Sequence, residues 1–430
     1  MGSIPSARAS GFRGARSRGC GVVAAALLAL PACSKQSPDE TTAVTPGTLS
    51  SCEPEPDSGV PPPAVPALSF ELIDLPDVDD ATDFAFLPGS DPCAGFDLLV
   101  TSLTGQVHHV RVLDDQATLL GSATLPVFRD EGCGLHSIRL DPRFADNAQL
   151  YLTRCVDTLT STLTRHTFDE NAVLAAGEAS VLTVSTPTDP PEDWHRFGSF
   201  GFEPDGQTLW VLLGDHFFRQ SAQDTTTPFG SLLRLALEPA GAPTAYVGAA
   251  GNAFDAPPIY AYGLRSPWRG TRDQQGRFFV GDVGEYRREE VNLITHAGQN
   301  FGWPTFEGPC TEACEFDNPL VSYGRTREER YVQEDPEAAP GTARSVWVGD
   351  VYEAPRRDRY HGLFDSKVPF GDFYTGWVRV LAVDASGQLT EDRHVGHVAS
   401  VTSWHTGPDG YMYALTLSGG LYRARQIVSP

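Results

Sequence analysis

The chain has 430 residues, 40% of them hydrophobic and 10% aromatic, with 42 Gly, 34 Pro and 2 Met, which is enough apolar material for a large folded body or several domains. Asp and Glu number 55 against 32 Lys and Arg, a formal charge of -23, and this argues against a surface that draws in nucleic acid or anionic lipid. The Gly and Pro content argues equally against a helical bundle and favours short strands joined by many turns.

In the first 32 residues the charged side chains are Arg8, Arg13, Arg16 and Arg18; an apolar run from Gly21 to Leu30 follows, and small residues precede Cys33. That run is too short to span a bilayer, so residues 1–32 read as a secretory signal peptide rather than a permanent anchor. Leu30-Pro31-Ala32-Cys33 is similar to the cleavage box of bacterial lipoproteins, with Pro31 the imperfect fit. The expectation is that Cys33 is acylated and holds the chain to the cell envelope, at the outer membrane or in the periplasm. Plain secretion is the alternative, and membrane contact comes only through the lipid anchor.

Removing those four arginines from the 32 basic residues leaves 28 against 55 acidic ones, a formal -27 for the exported chain. Residues 33–67 are rich in Pro, Ser, Thr and acid and poor in large apolar side chains; they cannot offset the entropy of ordering and read as a disordered tether. The folded body is expected from 68 to 430. Cys20 leaves with the signal, and Cys33 carries lipid. The remaining Cys52, Cys93, Cys133, Cys155, Cys310 and Cys314 are an even set in an exported chain and read as disulfides, with the pairing of Cys52 and Cys93 left open. A metal reading of Cys310 and Cys314 is weak, since no second Cys or His pair follows at zinc-site spacing.

Through the body one pattern returns: an apolar strand, a turn of Asp, Pro and Gly, and a second strand. Copies run from Ile138 through Asp141-Pro142 to Thr153, from Phe200 through Pro204-Asp205-Gly206 to Leu213, from Asp273 through Gly276 to Val280, and from Pro408-Asp409-Gly410 to Thr416. The strands are β-branched and aromatic, and the turn residues supply the backbone angles of a reversal. Turn-to-turn spacing is about 60–70 residues, so the body divides into about six units. The fold class expected is all-β, a six-bladed β-propeller; a pair of β-sandwiches is the competitor.

In such a hairpin the residue before the first strand and the residue after the second meet at one end. Cys133 and Cys155 hold those positions in one copy and can form a disulfide. His195 and Asp215 hold them in the next, and Arg265 and Asp282 in the third. Adjacent units therefore aim an imidazole, two carboxylates and a guanidinium at one rim. A histidine oriented by a carboxylate is a general base near neutral pH, and an arginine beside it stabilises a developing oxyanion. Each element also has a structural reading: a hydrogen bond for the His–Asp pair, and an ion pair between blades for the arginine.

The stretch IYAYGLRSPWRGTRDQQGRFFVGDVGEYRREEVNLITHAGQNFGWPTFEG, Ile259 to Gly308, resembles the signature region of the glucose/sorbosone dehydrogenase family, soluble sugar dehydrogenases that use pyrroloquinoline quinone (PQQ) and calcium. GLHSIRLDPRFADN from Gly134, GFEPDGQTLWVLLGD from Gly201 and GPDGYMYALTLSGGLYR from Gly407 carry the resemblance over the rest of the body. It implies a six-bladed propeller and a small-molecule sugar substrate. It further implies that His195 is the base taking the anomeric hydroxyl proton, that Asp215 orients it, and that Arg265 stabilises the reduced quinone. Arg196, Arg265 and Ser266 are the cofactor contacts implied, and Gly284 and Glu285, in GDVGE, the calcium contributors.

The chain departs from the family at Phe197, where a ring replaces a glycine beside the base, and at Ser266, where an asparagine is usual. The late-blade cations of the glucose dehydrogenases fall near Tyr374, Ser400 and Thr402, leaving Arg196, Arg265 and Arg269 as candidates to meet the cofactor's carboxylates. The function expected is PQQ-dependent oxidation of an aldose to its lactone, with electrons passed to a periplasmic acceptor whose identity stays open. The alternative is a propeller that has lost PQQ and binds a glycan or protein. His108 and His109 are expected on opposite faces of a strand, and His216 in solvent. Trp268, Trp303 and Trp404 either stack on a sugar or wedge between blades.

Overall fold

Stretches such as Thr208–Leu213 (TLWVLL) and Met412–Thr416 (MYALT) are buried along their whole length, whereas Gln116–Thr124 (QATLLGSAT) alternates exposed and half-buried residues. That gradient belongs to sheets stacked face to face, with inner strands covered on both faces and outer strands on one. The computed structural model describes residues 67–89, 95–130, 132–186, 188, 194–238, 245–311, 314–325, 331, 344–353 and 357–427. The signal segment, Cys33, Cys52, Cys93 and all of the tether except Ala67 lie outside the described residues.

Six antiparallel sheets form the blades of a propeller. Blade I comprises Ala81–Phe86, Phe96–Ser102, Gln106–Leu113 and Gln116–Thr124. Blade II comprises Leu135–Leu140, Gln149–Cys155, Thr160–Asp169 and Ala179–Ser185; blade III comprises Phe197–Phe202, Thr208–Leu213, Ser231–Leu237 and Tyr246–Gly248. Blade IV comprises Pro267–Arg272, Phe278–Asp282, Arg288–Ile294 and Val321–Gly324; blade V comprises Val346–Val348, Val368–Asp372, Trp377–Val383 and Leu389–His397. Blade VI takes three strands from the C-terminal end, Val401–Thr406, Met412–Thr416 and Gly420–Gln426, and its fourth from Leu68–Asp74, paired antiparallel to the last. The N-terminal strand thus closes the ring.

The turns form as their residues dictate. In the blade III hairpin Gly206 N donates to Glu203 O at 2.9 Å, and Asp205 Oδ1 accepts from Gln207 N and Thr208 N at 2.9 and 2.8 Å, an Asx turn that reverses the chain. Apolar clusters lie between neighbouring blades. One joins blades V, VI and I through Trp347, Trp404, Phe84 and Tyr413, with Trp347 and Trp404 stacked at 5.5 Å. Trp404 is therefore a wedge. His108 and His109 lie on one strand, bonded separately to Ser122 and Asp97.

The first strands of the blades surround a channel that polar side chains fill. Arg269, 2% exposed, projects from blade IV and donates to Thr402 O of blade VI (2.7 Å), Thr82 O of blade I (2.7 Å), and Ser137 Oγ and His136 O of blade II (2.5 and 3.1 Å). Beside it Asp83 accepts from Arg139 Nη1 at 2.8 Å and from Ile138 N at 3.2 Å, and lies 2.8 Å from His405 Nε2. Burial raises the Asp83 pKa, but Arg139, Arg269 and His405 outweigh it and hold the carboxyl far below the usual range. Burial likewise pulls Arg269 down to about 10, leaving it charged at neutral pH.

Asp83→Ala leaves two guanidinium groups and an imidazole without their shared carboxylate, and a loss of about 3–5 kcal/mol is expected from urea unfolding. His405 has Nδ1 2.7 Å from Asp350 Oδ2 and Nε2 on Asp83. Burial opposes its charge, yet the two carboxylates prevail against burial and the neighbouring Arg139, and its pKa is raised. Its contribution is therefore complete below about pH 6.5, the ordinary histidine value, and is lost as pH rises through the elevated folded one. The stability gap between the parent and His405→Gln, measured by urea unfolding at a series of pH values, is expected to be largest near pH 6 and to shrink toward alkaline pH.

Candidate functional site

At one end of the channel a cavity of about 430 Å³ opens, lined by residues from every blade, including Thr82, His136, His195, Arg265, Ser345 and Thr402. Its wall is set by the hairpin of blade III. His195, at φ 57°, precedes the first strand and Asp215 follows the second, and His195 Nδ1 lies 2.6 Å from Asp215 Oδ1. The intervening close approach requires Gly214, where a Cβ would sit 2.3 Å from His195 O. Asp215 is held on every side: Phe217 N donates to Oδ1 at 2.9 Å, Trp303 Nε1 to Oδ2 at 2.8 Å, and its own N–H to Arg265 O at 2.8 Å. Phe217 stacks on the imidazole at 4.1 Å and 13°, fixing the plane of the ring.

Arg265 enters from the connection between blades III and IV. Its backbone N–H, with that of Ser266, is received by the Asp282 carboxylate at 2.9 and 2.6 Å, while its Nη1 donates to Val283 O at 2.8 Å. Asp282 thus shapes the backbone and does not pair with the guanidinium. Burial drives the Asp282 carboxyl up to about 8, and Glu290 adds to the rise. Burial also lowers the Arg265 pKa, and Asp215, Asp282 and Glu289 oppose that fall. The guanidinium lies 5.5 Å from the Trp303 ring, so Trp303 touches both Asp215 and Arg265. Residue type and spacing offered stacking or wedging for this tryptophan; its role as a donor to Asp215 depends on a contact 88 positions away in sequence.

The other expected residues divide. Arg196 reaches the cavity wall, but its guanidinium donates to His216 Nδ1 at 3.1 Å and to Thr158 O at 2.6 Å. His216 is not in solvent: positive φ angles at His216 and Phe217 turn its ring inward against Phe229, where burial holds its pKa well below the ordinary value. Arg269 lies beside the cavity and is spent on the channel. Two cations that sequence spacing did not flag line the cavity instead: Arg325, after the last strand of blade IV, and Arg344, before the first strand of blade V. Tyr374 and Thr402 line it as well, and Trp268 lies edge-on to His136.

The turn after Asp282 is held by Glu307, whose Oε1 accepts from the backbone of Glu285, Tyr286, Arg287 and Arg288 at 2.7 to 3.1 Å. Gly284 is required there, since a Cβ would meet Arg288 O at 1.6 Å. At the two residues expected to hold calcium, Gly284 O accepts from Arg325 Nη2 at 2.7 Å, and the Glu285 carboxylate pairs with Arg219. Among the described residues no three His, Cys, Asp or Glu side chains converge on a metal position. These residues as arranged do not fit a calcium ion. Two disulfides are formed, Cys133–Cys155 and Cys310–Cys314.

A six-bladed propeller with a histidine–carboxylate pair and an arginine at its channel mouth is the class this geometry defines. The model of the glucose/sorbosone dehydrogenase family matches residues 81–423, and the chain belongs to that family. An uncharacterized protein of Synechocystis is 26% identical over 77% of this chain and 80% of its own length; the HIPL2 protein of Arabidopsis thaliana is 35% identical over 26% of this chain and 19% of its own. The fold is shared with the PQQ-bound aldose sugar dehydrogenase of Streptomyces coelicolor (TM-score 0.63, 20% identity, 85% of this chain and 100% of that one). It is shared also with the apo soluble aldose sugar dehydrogenase of Escherichia coli (TM-score 0.64, 20% identity, 84% and 100%). Family membership supports a sugar dehydrogenase-like function.

Glu307→Ala removes the acceptor shared by four amides. Hydrogen exchange across Glu285–Arg288 is expected to accelerate by roughly tenfold or more while the blade strands keep their protection; unchanged exchange in that turn would show that the carboxylate does not hold it.

Proposed function

We propose that the chain oxidises the anomeric hydroxyl of an aldose to the lactone, with PQQ as the hydride acceptor and an external carrier receiving the electrons. The observation that carries this reading is the 2.6 Å contact of His195 with Asp215 on a cavity that also presents Arg265. The family match and the PQQ-bound Streptomyces neighbour support the cofactor. The residues present fit such a group. Arg265, Arg325 and Arg344 line the cavity, and the buried Nε atoms of Arg265 and Arg325 have no hydrogen-bond partner among the described residues. Those donors suit a planar polycarboxylate in an otherwise acidic protein, and Phe217, Trp268, Phe373 and Tyr374 supply aromatic surface.

When bound, the quinone supplies a two-electron, hydride-accepting centre. The chain's own residues do the rest. With Nδ1 held on Asp215, His195 Nε2 takes the proton of the anomeric hydroxyl as hydride leaves C1, so the C1–O bond becomes the lactone carbonyl. Asp215 fixes the tautomer and balances the imidazolium that forms. Trp303 keeps Asp215 in place, and Arg265 offsets the negative charge that builds on the acceptor side. The export segment and the two disulfides support a place outside the cytoplasm, with Cys33 as lipid anchor and a periplasmic acceptor.

The competing reading, a non-catalytic binder of glycan or protein, draws on Phe197 and Ser266. The Phe197 side chain is 1% exposed and clusters with Phe200 and Leu213 between blades II and III, while the residue also borders the cavity. Ser266 keeps its backbone N–H on Asp282.

With the quinone in excess, a panel of aldoses is expected to bleach an artificial dye. His195→Ala is expected to lower the rate about 100-fold or more, as removal of a general base does. Absence of bleaching with every sugar would replace this reading with the binder.

A further inference from the structure

We propose that the guanidinium of Arg325 stands where the family's divalent cation would, so that this chain binds its anionic cofactor without calcium. The inference rests on the PQQ reading above and concerns the same cavity. Calcium needs six to eight oxygens arranged around it. On this edge of the cavity three oxygen groups are paired with organic cations: Val283 O with Arg265 Nη1 at 2.8 Å, Gly284 O with Arg325 Nη2 at 2.7 Å, and the Glu285 carboxylate with Arg219. A dication drawn to Gly284 O would face the Arg325 charge across one shared oxygen, a repulsion strengthened by the low dielectric of a half-closed site.

Arg325 is built into this place. It follows Val321–Gly324 of blade IV, pairs with the fully buried Glu289, and donates to Arg344 O at 3.3 Å. The other oxygen of Glu289 accepts from Val346 N of blade V at 3.0 Å, so the guanidinium is fixed in the seam between two blades. Its Nε is buried and has no hydrogen-bond partner among the described residues, and the side chain lines the cavity. An arginine stays charged at any working pH and can offer a fork of donors to a carboxylate. It thereby supplies the fixed positive charge, and the anchor for an anion, that a bound dication supplies elsewhere.

The test is equilibrium binding, independent of turnover. Exported-form protein freed of quinone is titrated with PQQ by calorimetry, once in excess EGTA and once in excess calcium. The proposal expects dissociation constants equal within about twofold in the two buffers, and no shift in melting temperature on adding calcium alone. Arg325→Met is expected to weaken PQQ at least about tenfold in EGTA, and Arg325→Lys to weaken it less, because the charge remains and the fork is lost. Thermal melts of both variants check that the seam is intact. If Arg325→Met does not fold, the EGTA and calcium titrations of the parent and the Lys variant still decide. Calcium raising the parent's affinity tenfold or more, or Arg325→Met binding as the parent does, would overturn the proposal while leaving the PQQ reading in place. No binding in either buffer would overturn both.

Discussion

On the propeller axis a single guanidinium, that of Arg269, bonds to backbone and hydroxyl oxygens of three other blades. Six sheets arranged in a ring leave a channel where the backbone of the first strands carries unpaired carbonyls, and such groups are costly if neither water nor protein meets them. Arg269 satisfies several at once, and Asp83 of blade I beside it collects Arg139 and a backbone amide from blade II and His405 from blade VI. These buried charged groups tie blades I, II, IV and VI together on the axis beside the cavity. The candidate site lies at the same axis: His195 and Arg265 stand on connections that enter first strands of blades III and IV.

At the site the chemistry depends on buried groups held by other buried groups. The Asp215 carboxylate meets His195, Phe217 N and Trp303 Nε1, and its backbone is bonded as well, so that the imidazole it holds has one orientation. The second wall carries the opposite problem. Asp282, Glu289 and Glu290 are buried carboxyls, each pushed up by burial to about 8, 7 and 7, and the arginines at the cavity edge lie among them. A chain of formal charge -23 can still attract an anion here because Arg265, Arg325 and Arg344 concentrate positive charge at one mouth.

Much of this was legible in the residues. The returning Asp-Pro-Gly hairpin and its spacing led to six blades, since turn chemistry and strand composition are local properties. The same hairpin geometry brought His195 to Asp215 and Cys133 to Cys155 from positions about twenty apart. What stayed hidden depends on contacts between blades. Leu68–Asp74 closing the last blade, Arg269 turning down into the channel, and Trp303 reaching Asp215 all join positions far apart in sequence. His216 looked like a solvated neighbour of Asp215, yet two successive left-handed residues send its ring inward. Arg325 and Arg344 escaped because they flank a long connection whose ends meet only when blades IV and V are side by side.

The central claim is that hydride leaves C1 of an aldose in this cavity while His195 removes the hydroxyl proton. Its most direct test is a single-turnover experiment in which PQQ-loaded protein is mixed rapidly with an aldose deuterated at C1 and the reduction of the cofactor is followed by absorbance. The account predicts reduction slowed several-fold relative to the protiated sugar. Reduction at an identical rate with both sugars while C1 chemistry is being observed, or no reduction with either, would contradict it.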